Sequence, residues 1–124
     1  MPTPSIPVQQ LINARNAVAD VHNYHSTREA MPTTQALLDT VTILVYNFYG
    51  EASAIGRALS KEEADAAATE VENNVNAYLL HIEQLIDQVE PMLGKTGLRD
   101  AYDVLQQTLA GEIERLRQNA QAQL

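Results

Sequence analysis

His22 and His25 stand three residues apart, and Glu29 follows one helical turn further along. On a helix this spacing brings two imidazoles and a carboxylate to one side, a donor set that suits a divalent transition metal. Stable sites usually recruit a further ligand. The remaining imidazole, His81, lies far along the chain, and nothing in the sequence brings it near. The simpler expectation is two partly exposed histidines near a helix end, whose protonated form suits the negative end of the helix dipole.

Other chemistry has less support. A di-metal centre in a helical bundle needs Glu-x-x-His on two helices and a glutamate on each of the others. The residues three before His22, His25 and His81 are Ala19, His22 and Tyr78, so the pattern is absent. Gly94-Lys95-Thr96 resembles the end of a phosphate-binding loop, but the required earlier glycine is Val89 and no strand precedes it. It reads as a helix stop and cap. There is no cysteine nucleophile, and no serine sits in a recognisable elbow. The expectation is a protein that is not an enzyme and carries no cofactor.

Sixteen acidic against eight basic residues give a net charge of -8, which repels a phosphate backbone. Direct nucleic-acid binding is therefore not expected. The first seven residues, with prolines at 2, 4 and 7, hold neither a basic nor an apolar signal region, and no apolar run approaches the roughly 18 to 20 residues of a membrane span. A cytoplasmic protein is expected, or a virion component if the source is viral. At 45% hydrophobic and 19% charged over 124 residues, the composition is that of one globular domain, and without cysteine no disulfide holds it.

The elements follow from periodicity. Residues 1–6 read as an extended arm, 7–116 as a bundle and 117–124 as a helical or frayed tail. Helix 1 is expected from Pro7 to Arg28, with Leu11, Ala14, Val18, Val21 and His25 inward and an amide-rich outer face of Gln9, Gln10, Asn13, Asn16 and Asn23. Met31-Pro32 should break it, and Thr33 or Thr34 should cap helix 2, running to Leu59. The stretch from Thr40 to Gly50 is rich in β-branched and aromatic residues and alone could be a strand. No second segment could pair with it, whereas Leu37, Val41, Leu44, Phe48, Ala52, Ile55 and Leu59 form a helical stripe.

Ser60-Lys-Glu-Glu63 is a capping box that opens helix 3. A seam of Ala64, Ala68, Val71, Val75, Tyr78, Ile82, Leu85, Val89 and Met92, at alternating steps of four and three, runs about 45 Å over residues 61–90. Pro91 should kink or end this helix before Gly94, and Thr96 should cap helix 4. Its inner face is Leu98, Ala101, Tyr102, Leu105, Leu109, Ile113, Leu116 and Ala120. The expected fold is an all-α, four-helix up-down-up-down bundle with a long third helix.

Ile43 and Tyr46 place apolar groups outside the helix 2 stripe, so this helix is either central in the bundle or part of an interface. A non-enzymatic interaction or assembly protein is the leading expectation. It would dock helix faces through Ile43, Tyr46 and Tyr49, as a homo-oligomer or a subunit of a larger complex, such as a phage virion or assembly component. The alternative is an acidic inhibitor or nucleic-acid mimic that presents Glu62, Glu63, Glu70 and Glu72 to a basic groove of a partner protein.

Overall fold

Pro7 sits in the first turn of α1 (Ile6–Asp20), where its missing N–H leaves no bond unmade. The computed structural model describes residues 5–124. Of the expected arm, residues 1–4 lie outside the described residues, Ser5 is extended and Ile6 is already helical. The α-helical hydrogen bonding ends at Asp20, and Val21–His25 form a π-helical turn. Helix 1 therefore ends three residues before the expected Arg28, and not as an α-helix. The wider turn breaks the inward stripe: Leu11, Ala14, Val18 and Val21 are buried, but His25 is exposed.

Met31-Pro32 begins a helix here instead of separating two. α2 spans Met31–Gly56, with Pro32 in its first turn. The hydroxyl of Thr27 accepts from the Ala30 N–H at 3.2 Å in the turn before the helix, Ala30 stands at the N-cap, and the amides of Thr33 and Thr34 donate to its carbonyl at 3.0 Å, so neither threonine is the expected cap. Thr34 is instead buried within the helix. At the other end α2 stops at Gly56 rather than Leu59, as the amides of Arg57 and Ala58 turn back to carbonyls three residues earlier. The residues with strand propensity are helical because Leu37, Val41, Leu44, Val45 and Phe48 share one buried face. Tertiary burial outweighs local preference.

α3 spans Lys61–Leu93. Ser60 accepts from the Glu63 N–H at 3.0 Å, and the Glu63 carboxylate accepts from the Leu59 N–H at 2.8 Å, one residue further back than a simple capping box. The helix runs through Pro91 to Leu93. It stops at Gly94, whose φ of 71 and ψ of -153 are open only to glycine at low cost. Along α3 the buried stripe steps from Val75 to Leu79 and Ile82, then to Leu85, Ile86 and Val89, while Tyr78 is only partly buried. The expected seam is buried at Ala64, Ala68, Val71, Val75, Ile82, Leu85 and Val89, and at its middle the partly buried Tyr78 shares the position with its neighbour Leu79.

α4 spans Leu98–Ala122. Its cap is Gly97, left-handed at φ 84, rather than Thr96. The tail continues the helix to Ala122. Arg117 and Gln121 both donate to Asp65 of α3, and Ala120 is buried.

The four helices run up-down-up-down. Each packs on its sequence neighbours, α4 closes back on α1, and α2 also touches α4 across the diagonal. Thus α2 contacts the other three helices, and Phe48, the largest fully buried side chain, lies on it. Among the described residues no helix is long and apolar enough to cross a membrane.

Candidate docking face and buried polar clusters

Ile43 and Tyr46 lie one turn apart on the outward side of α2 and are 46% and 59% exposed. Among the described residues they are the one pair of exposed large apolar side chains three or four residues apart on a helix. Single exposed hydrophobic residues are ordinary, but adjacent ones remove a continuous patch from favourable hydration. Ile43 also borders a shallow groove between α2 and α3, together with Thr40, Ala77, Tyr78 and His81.

Tyr49 does not share this face. Its ring meets Phe48 edge-on at a centroid distance of 5.0 Å, and its hydroxyl donates to the Glu112 carboxylate on α4 at 2.6 Å. Of the three expected anchors, Ile43 and Tyr46 are brought together outside, and Tyr49 turns inward.

Glu112 is the larger surprise, because it sits in the inner face of α4 between Leu109 and Ile113 and is only 3% exposed. Its two oxygens accept from Arg115 at 2.8 and 3.0 Å as well as from Tyr49. The Arg115 bonds hold the carboxyl below the usual glutamate range against the opposing effect of burial, and the Tyr49 bond adds to them. Burial, followed by the bond to Glu112, pushes the Tyr49 hydroxyl upward, so it remains a donor at any ordinary pH. The cluster is fully bonded, and no buried side-chain polar atom among the described residues lacks a partner. This is how a charge survives in a bundle core.

A second cluster ties the π-helical turn to α2. The Thr34 hydroxyl meets Nδ1 of His22 at 2.7 Å, Oγ of Ser26 at 2.9 Å and the Met31 carbonyl at 3.1 Å. With one proton to donate and two lone pairs to accept, the Thr34 hydroxyl has the capacity for all three contacts at once. His22 is thus engaged by Thr34 while His25 faces solvent. Among the described residues no group of three His, Asp or Glu side chains is placed to hold a metal, so His22, His25 and Glu29 are not brought together.

The acidic residues divide in the same way. Glu63 serves the helix start. Glu70 and Glu72 are two residues apart, which puts them about 200° apart around α3, so one face does not hold both. Glu72 borders the α3–α4 groove with Glu114, near the Arg117–Asp65 pair at 3.1 Å. Glu62 is exposed in the first turn. Further along, Arg99 bridges Asp87 and Glu90.

Comparison with protein-family models, curated proteins and solved structures finds no match for this chain.

Proposed function

We propose that this chain is a non-enzymatic helical interaction protein that docks the outward face of α2 on a protein partner. In an assembly it would be a homo-oligomer or one subunit of a larger complex, a phage virion or its assembly machinery being one such setting. The supporting observation is the exposed pair Ile43 and Tyr46 on a helix whose opposite side is already buried. A helix committed on one side to a core and apolar on the other is suited to helix-face recognition, with an aromatic anchor at the centre of the contact. The acidic-inhibitor reading requires one continuous carboxylate surface, which Glu70 and Glu72 do not share.

Sedimentation velocity tests the proposal, using purified protein and, separately, an extract of the cells that make it. The wild-type chain is expected to sediment faster than a monomer in at least one setting. Ile43→Asp and Tyr46→Ala should each return it to monomer behaviour with unchanged helical circular dichroism, since both side chains lie outside the core. A wild-type chain that is monomeric in both settings, or complexes that tolerate both substitutions, would overturn the proposal.

A further inference from the structure

The outward face of α2 and the residue that follows it carry a second periodic row: Asp39, Ile43, Tyr46, Gly50, Ser53 and, one residue past the end of the helix, Arg57 follow one another at steps of 4, 3, 4, 3 and 4. All six are exposed. The Arg57 guanidinium donates to the Ser53 hydroxyl at 2.8 Å, which keeps the last member on the same side of the helix as the others. Alternating steps of four and three are the spacing by which one helix lays a straight seam against another.

The row is symmetric in position and complementary in chemistry about the level of Phe48. Reversing it places Asp39 opposite Arg57, Ile43 opposite Ser53 and Tyr46 opposite Gly50. Each pair joins unlike members: acid with base, and a large side chain with a small one. The space above Gly50 is open, with nothing within 4 Å of where a Cβ would stand. Neither Asp39 nor Arg57 has an ion-pair partner of its own among the described residues. Asp39 accepts only from the neutral Gln35 amide at 2.9 Å.

We infer that the occupant of this face is a second copy of the chain, its α2 lying antiparallel across a two-fold axis at the level of Phe48. The inference rests on the docking-face reading above and names its partner. In this arrangement the axis duplicates every contact, so two Asp39–Arg57 pairs flank a centre in which each Tyr46 fills the space over the other copy's Gly50. The contact row spans about 27 Å, eighteen rises of 1.5 Å from Asp39 to Arg57. A parallel pairing would instead set Asp39 on Asp39, Arg57 on Arg57 and Tyr46 on Tyr46, with like charges at both ends and no room at the middle.

Charge reversal in purified protein, read by sedimentation equilibrium, tests this. The wild-type chain is expected to dimerise. Asp39→Arg and Arg57→Asp should each weaken the dimer about tenfold, because either one creates two like-charge pairs. The double variant Asp39→Arg/Arg57→Asp should recover wild-type affinity within a few-fold, since antiparallel pairing restores both ion pairs with their signs exchanged. A dimer that ignores the single reversals, or that the double variant fails to restore, overturns the antiparallel pairing. A purified chain that stays monomeric, while extract complexes still depend on Ile43 and Tyr46, overturns the second copy and leaves the docking face standing. Monomers in both settings remove both.

Discussion

Phe48→Ala should cost about 4 kcal/mol of folding stability, the range for truncating a buried phenylalanine whose cavity collapses only in part. Phe48 is 1% exposed and sits on the helix that touches all three others, so no single neighbour can move in without leaving another contact. Against a total of about 5–15 kcal/mol for a domain of this kind, that loss is severe. The urea midpoint should fall with an unchanged slope, and the melting temperature should drop by about 15 °C. Ile43→Ala on the same helix should change stability by less than about 0.5 kcal/mol, because its side chain already faces water. A Phe48→Ala loss below 1 kcal/mol would mean that α2 is not the central helix of the bundle.

Arg115→Ala should cost about 2 kcal/mol at neutral pH, through the carboxylate it leaves behind rather than through its own packing. Arg115 is itself half exposed, so its release to solvent is easily tolerated. Glu112 would then remain buried, charged and bonded to Tyr49 alone. The pH dependence follows from the same contacts. In the wild-type protein the Glu112 pKa is held below its ordinary value, first by the Arg115 bonds, so the pairing stabilises fully above the unfolded carboxylate value of about 4.3. That contribution is lost as pH falls through the lower folded value. The gap between wild type and Arg115→Ala should therefore be widest near neutrality and close in acid, where Glu112 is protonated in both proteins. Urea midpoints from pH 7 to pH 2.5 measure it. A gap constant across that range would show that Arg115 stabilises by some route other than the Glu112 charge.

The four helices were legible because each buries a stripe recurring every three to four residues. In α2, Leu37, Val41, Leu44 and Phe48 carried that signal through β-branched and aromatic neighbours that suggested a strand. What periodicity conveys least is the detail of helix ends. Ala30 rather than Thr33 or Thr34 stands at the N-cap of α2, and Gly97 rather than Thr96 at that of α4. Several residues near each boundary have caps of suitable type, and the choice depends on where the chain must turn. The π-helical turn at Val21–His25 has no compositional signature, and His25, its last residue, is exposed.

The candidate face was only half legible. Ile43 and Tyr46 stood out as apolar groups beyond the buried stripe, but Gly50, Ser53 and the charges at both ends hid the row they belong to. Tyr49 lies next to the stripe, and only the position of Glu112 on α4 decides that it points inward. Glu112 itself left one trace in the sequence, a carboxylate three residues after Leu109 and next to Ile113, within the spacing of the inner face.

Hydroxyl-radical footprinting of the tyrosines tests the docking role of α2 most directly. Tyr46 and Tyr24 are 59% and 77% exposed and supply the probe and its internal control. Modification of Tyr46 should fall as the purified chain is concentrated, or in extract if the partner is another protein, while that of Tyr24 stays constant. Equal and unchanging modification of both tyrosines in every setting would contradict a docking role for this face.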